Sequence, residues 1–153
     1  MANTYHQVHL QMVFAVKYRI AQIDPGWKAD LFSVIGNIIN EKNAKTLIVN
    51  GTRDHVHCLV GLKPVMAISE LLKAVKARSS KYINDQKLTN EHFEWQDGYG
   101  VFSYHKSQVD DLFNYIQQQE IHHQKKPFLV EYRELLTSFG IDYDEQYIFR
   151  EPV

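Results

Sequence analysis

Gly51-Thr52-Arg53-Asp54-His55-Val56-His57-Cys58-Leu59-Val60-Gly61 is a turn cluster followed by a run of β-branched and apolar residues that closes on a glycine, the pattern of a strand entered from a hairpin turn. Successive side chains of a strand point to opposite faces. His55, His57 and Leu59 therefore share one face, and Val56, Cys58 and Val60 share the other. Two imidazoles stand side by side and aim the same way.

Upstream, Lys45 to Asn50 reads as the partner strand of the hairpin. Tyr5 to Val16 alternates: His6, Val8, Leu10, Met12, Phe14 and Val16 fall on one face, and Tyr5, Gln7, His9, Gln11, Val13 and Ala15 on the other. That alternation predicts a half-buried first strand. Asp24-Pro25-Gly26 opens a helix whose stripe is Leu31, Val34, Ile35, Ile38 and Ile39. Downstream, Ile68, Leu71, Leu72 and Val75 mark a second helix, and residues 84–98 a polar loop anchored by Phe93 and Trp95. Val101 to His105 makes a fourth strand. A third helix is capped near Ser107, has Val109, Leu112, Phe113 and Ile116 on its core face, and is limited by Pro127.

The order βαββαβ plus a further helix predicts an α+β fold of the ferredoxin-like, RRM-like type: an antiparallel sheet with helices on one face and a C-terminal helix beyond it. On that plan His9, Gln11, His55 and His57 line an uncovered sheet face.

The 153 residues fit one domain over residues 1–153,. There is no membrane-spanning apolar run and no signal-peptide pattern, so a cytoplasmic protein is expected. The lone Cys58 supplies neither an internal disulfide nor a thiolate cluster, and a metal here would need nitrogen and oxygen ligands. Net charge is −1. Residues 128–153 carry six acids against two arginines, a net of −4, so the remaining 127 residues sum to +3. Within them Lys73, Lys76, Arg78 and Lys81 form a basic run on the second helix, either a phosphate-binding patch or a solvated helix face.

Two histidines at i, i+2 can hold a divalent cation only with a further donor; otherwise they are surface histidines on a strand. On a helical period Tyr115, Gln119 and His122 form one stripe beside the apolar face of the third helix. The Gln119 amide oxygen can complete such a site, and Tyr115 stands at the edge where helix meets sheet; the plainer reading is a packing tyrosine and a polar surface. A phenol, with a pKa near 10, attacks phosphorus at neutral pH only with help, and a cation on a phosphodiester's oxygens gives that help.

His55-Val56-His57, with Trp95-Gln96-Asp97-Gly98-Tyr99-Gly100-Val101-Phe102-Ser103 and Tyr115-Ile116-Gln117-Gln118-Gln119-Glu120-Ile121-His122-His123, resembles the His-hydrophobic-His (HUH) single-tyrosine transposases of small insertion sequences and their repeat-associated relatives. The likeness runs from the first strand to about Tyr132. It implies that His55, His57 and Gln119 are metal ligands for Mg²⁺ or Mn²⁺ and that Tyr115 is the catalytic nucleophile. It further implies cleavage and rejoining of single-stranded DNA through a 5′-phosphotyrosine, hairpins at the element's ends as partners, and a bacterial or archaeal cell as the setting. A homodimer is implied too, in which the tyrosine helix can be supplied in trans to the partner's histidines. Phosphate affinity is then expected from Lys73, Lys76, Arg78 and Lys81, with residues 142–149 of the acidic extension packing on the body or gating the DNA face. Three other readings fit parts of the pattern: a domesticated relative that nicks hairpins, a metal-dependent hydrolase indifferent to Tyr115, and a non-catalytic binding module, which would want exposed aromatics on the open sheet.

Overall fold

The computed structural model describes residues 3–20, 22–121 and 126–144. The hairpin of the opening stretch is formed by β2 (Ala44–Gly51) and β3 (His55–Leu62). Gly51 is required at its corner: a Cβ there would lie 2.1 Å from the His55 carbonyl oxygen. The rest of the chain supplies β1 (His9–Ala15), α1 (Pro25–Glu41), α2 (Ile68–Asp85), β4 (Gly100–Tyr104), α3 (Lys106–Gln117) and α4 (Phe128–Ser138). The sheet order is β2-β3-β1-β4 and every pairing is antiparallel, the arrangement expected of a split βαβ plan.

Local signals place the helices. Asp24 caps α1 by accepting from the Gly26 amide at 2.7 Å,. His105 caps α3 in a reciprocal box with Ser107 and Gln108,. Leu31, Ile35, Ile38 and Ile39 of α1 and Leu71, Leu72, Val75 and Ile83 of α2 pack on Leu10, Met12, Phe14, Val56, Cys58 and Val60. Phe93 and Trp95 join this cluster, and the Trp95 Nε1 donates to Ser79 Oγ at 2.9 Å. The loop before β4 is thus anchored as expected.

Three expectations need correction. The first strand begins at His9, not Tyr5: residues 3–8 are exposed and outside the sheet. Its partner β3 ends at Leu62, whose amide takes the Val8 carbonyl as the last ladder bond. The third helix does not run to Pro127; it ends at Gln117, and Pro127 is the residue before α4. Most consequentially, the second sheet face is covered. Leu112 and Ile116 of α3 pack on Leu59, while Phe128, Tyr132 and Leu136 of α4 pack on Val13, Ala15 and Phe102. Gln11, His55 and His57 are fully buried beneath this second layer. The apolar character of Val13, Ala15 and Leu59 explains why: half of that face is as apolar as the other and is removed from water at about 25 cal/mol per Å².

The acidic extension is partly helical. Tyr132 to Leu136 belongs to α4, which closes at Phe139 and the left-handed Gly140 (φ 65°),. Residues 145–153, which hold most of the segment expected to pack on the body or gate the DNA face, lie outside the described residues.

Candidate active site

Each histidine of β3 is held through its Nδ1. The His55 Nδ1 lies 2.7 Å from Asp54 Oδ1 and 3.0 Å from Thr52 Oγ1, which itself donates to Asp54 at 2.9 Å. The His57 Nδ1 lies 2.7 Å from Gln11 Oε1, and the Gln11 amide is turned that way because its Nε2 donates to Tyr104 Oη at 2.8 Å. Burial pushes the Tyr104 phenol up to about 12, so it stays protonated. A carboxylate and an amide oxygen are acceptors, so each imidazole donates from Nδ1 and turns its Nε2 to the same space, where a neutral ring offers a lone pair.

The groups met there are also acceptors. The His55 Nε2 faces Gln119 Oε1 at 3.1 Å, and the His57 Nε2 faces Glu131 Oε1 at 2.9 Å. Among the described residues, His55, His57 and Glu131 form a group whose ligand atoms all lie within 4.8 Å of one another. Two imidazole lone pairs, an amide oxygen and a carboxylate oxygen cannot satisfy one another without a proton or a cation between them. This donor set fits a divalent cation with nitrogen and oxygen ligands.

Tyr115 stands beside this set. Its hydroxyl donates to Glu131 Oε2, which also accepts from Gln119 Nε2 at 3.3 Å. Burial, and after it the Glu131 carboxylate, holds the phenol well above its ordinary range,. The helix that carries Tyr115 is pinned at its far end, where Asn50 Nδ2 on β2 donates to the Ile116 and Gln117 carbonyls at 2.9 and 3.1 Å. Gln119 lies past the cap of that helix yet still reaches His55.

His55, His57, Gln119 and Tyr115 are thus brought together within one chain, where the sequence left open whether the fold or a partner subunit closes the gap. Lys73, Lys76, Arg78 and Lys81 are not brought to them. They sit on α2, in the helix layer on the other side of the sheet. The Lys76 ammonium donates to the Gln96 and Gly98 carbonyls at 2.7 Å each, and its burial lowers its pKa. Arg78 pairs with Glu41 at 2.7 Å and Lys81 with Asp85 at 2.6 Å. Lys17, Lys73, Lys76, Lys81 and His92 line a groove of about 820 Å³ on that side. His9 is half-buried opposite Gly61, and His122 and His123 lie outside the described residues.

Glu131 was not anticipated. It lay in a segment read by its net charge, although one signal was present: at i+3 from Phe128 and i−1 from Tyr132 it falls inside the apolar stripe of α4, where an acid has no reason to be unless it has partners.

A family model described as "Transposase IS200 like" matches residues 4–119. The chain belongs to the IS200-like transposase family. It is accordingly a DNA transposase, of a class that cuts and rejoins DNA. The transposases for insertion sequence element IS200 of Salmonella typhimurium and Salmonella typhi are each 28% identical to it over 107 residues, covering 66% of this chain and 70% of theirs. Two solved structures share the fold of this transposase. One is a putative transposase from Deinococcus radiodurans, with TM-score 0.62 and 18% identity, covering 78% of this chain and 95% of that one. The other is a REP-associated tyrosine transposase bound to a REP hairpin, with TM-score 0.60 and 13% identity, covering 80% and 73%. The family-matched residues include both histidines, Tyr115 and Gln119, and end before α4 begins.

Proposed function

We propose that this transposase cleaves and rejoins single-stranded DNA by transesterification through a covalent 5′-phosphotyrosine on Tyr115, with Mg²⁺ or Mn²⁺ held by His55, His57 and Gln119. The observation that carries the reading is the convergence of two Nε2 lone pairs and the Gln119 amide oxygen beside the Tyr115 hydroxyl. When bound by these residues, a cation would supply Lewis-acid polarisation of the scissile phosphate. The chain's own residues do the rest. Asp54 and Gln11 keep the imidazole lone pairs aimed inward, and α3 carries the phenol oxygen to the phosphorus. As Tyr115 Oη bonds to phosphorus it gives up its proton, the bond from phosphorus to the 3′ oxygen breaks, and that oxygen takes up a proton. One phosphoester replaces another, so attack by a 3′ hydroxyl reverses the step and rejoins the strand.

The nucleic-acid partner we infer is a hairpin at the ends of the element, consistent with the hairpin held by the REP-associated relative. Lys73, with Lys76, Arg78 and Lys81 around it, is the proposed phosphate-binding patch. The setting is the cytoplasm of a bacterial or archaeal cell; among the described residues no helix is long and apolar enough to cross a membrane. Within a homodimer, the contact of Tyr115 with the site of its own chain supports attack in cis. If α3 were instead exchanged in trans, mixing inactive Tyr115→Phe with inactive His57→Ala would restore cleavage.

Labelled single-stranded hairpin DNA incubated with the protein and Mn²⁺ tests the reading. A denaturant-resistant protein–DNA adduct is expected, lost in Tyr115→Phe, in His57→Ala and with a chelator. Cleavage without an adduct would replace the transposase chemistry with hydrolysis, and an adduct surviving Tyr115→Phe would remove the nucleophile.

A further inference from the structure

Glu131 is only 3% exposed, on a helix whose other inward residues, Phe128, Tyr132 and Leu136, are apolar. Taking a carboxylate out of water costs several kcal/mol unless strong partners receive it. Its two oxygens have different partners. Oε1 lies 2.9 Å from His57 Nε2 and 4.0 Å from His55 Nε2, in the space where the lone pairs meet. Oε2 accepts from the Tyr115 hydroxyl and the Gln119 amide. One carboxylate therefore spans the ligand cluster and the nucleophile.

The seat of α4 is built to put it there. Phe128 stacks on the His55 ring at 4.1 Å with an interplanar angle of 21°. Gly100 on β4 admits Tyr132 so closely that a Cβ would lie 2.7 Å from its ring and hydroxyl. The ligand chemistry agrees. Two imidazoles and an amide oxygen are a wholly neutral set, whereas the hard cations Mg²⁺ and Mn²⁺ favour carboxylate oxygen.

We propose that Glu131 belongs to the active site, with Oε1 completing the cation's ligand set alongside His55, His57 and Gln119 while Oε2 holds the Tyr115 hydroxyl at the cation's flank. Helix α4, outside the residues matched by the family model, is then a catalytic element of this chain. The proposal rests on the metal-dependent tyrosine reading above.

The full chain, Glu131→Gln and Glu131→Asp test it by Mn²⁺ affinity without DNA, adduct rate at saturating Mn²⁺, and far-UV circular dichroism. Gln is nearly isosteric and keeps an oxygen for Tyr115 but removes the charge; its Mn²⁺ affinity is expected to fall about 10–100-fold, the range for lost metal-site partners. Asp keeps the charge and should lose less affinity than Gln, but it withdraws the carboxylate from Tyr115 and should slow the adduct even when metal is saturating. Wild-type Mn²⁺ affinity in a folded Glu131→Gln would overturn the ligand role. A wild-type adduct rate in both variants would overturn the positioning role. Should wild type bind Mn²⁺ through Glu131 yet form no Tyr115-dependent adduct, the transposase chemistry would fall and the ligand assignment would stand.

Discussion

Alternate residues of β1 and β3 face two differently built layers. On the α1 and α2 side, Leu10, Met12, Phe14, Val56, Cys58 and Val60 enter one apolar cluster. On the α3 and α4 side, Gln11, His55 and His57 are equally buried, but each is fixed by hydrogen bonds to named partners. Burial is the same on both sides and its physical content is not. The first layer is held by volume and shape, so a side chain there is replaceable by another of similar size. The second depends on an inventory of donors and acceptors, and changing one member leaves another unmade.

The sharpest way to break this comparison is on the first side. Phe14→Ala should cost about 3–5 kcal/mol of stability, the range for deleting a buried aromatic ring, while leaving Mn²⁺ affinity of the folded protein unchanged. Urea unfolding and metal titration together check this; altered affinity would show that the two layers are coupled through the strand. On the second side, Gln11→Leu should cost less, about 1–3 kcal/mol, because it strands the His57 Nδ1 and the Tyr104 hydroxyl. It should also lower Mn²⁺ affinity about 10–100-fold by freeing the His57 ring. Combining it with Tyr104→Phe should be clearly non-additive, since both changes remove parts of one relay; simple additivity would show that Tyr104 does not orient the amide.

How much of this was legible follows the same division. The α1 and α2 side was readable from periodicity alone, because Leu31, Ile35, Ile38 and Ile39 or Leu71, Leu72 and Val75 face one way by helical spacing,. His55 and His57 were readable because strand alternation places them together, and Tyr115 because helical spacing sets it beside the apolar face of α3, whereas Gln119 reaches the site from past the end of that helix. The layer above them was not. Val13 and Ala15 share their face with Gln7, His9 and Gln11, and that mixed composition suggested an open surface, whereas α4 covers the apolar residues with Phe128, Tyr132 and Leu136 and reaches the polar ones through Phe128 at His55 and Glu131 at His57. Glu131 was hidden for a further reason: it meets His57 only after the chain has crossed 74 residues, and no local spacing reports a contact of that range.

The smallest expected effect lies farthest from the histidines. Lys73→Ala should weaken hairpin binding modestly and evenly across sequences, and reduce the slope of log affinity against log salt by about 1, as the loss of one phosphate contact does. Mn²⁺ affinity should not move. An unchanged salt slope would assign the basic run of α2 to solvent and to its own partners, Glu41 and Asp85.

Between Tyr104, the last residue of β4, and Lys106, the first of α3, there is only His105. An α-helix turns about 100° and climbs about 1.5 Å with each residue. One residue inserted at this joint would swing Tyr115 round the helix axis and away from the histidines. Seven would restore its direction after about two turns but carry it about 10 Å along the axis. No insertion restores both, so the run from Tyr104 to Tyr115 acts as a gauge of fixed length. The exposed residues Asn90 to His92 lie before the Phe93 and Trp95 anchors, so a change of length there leaves the phase of the nucleophile untouched.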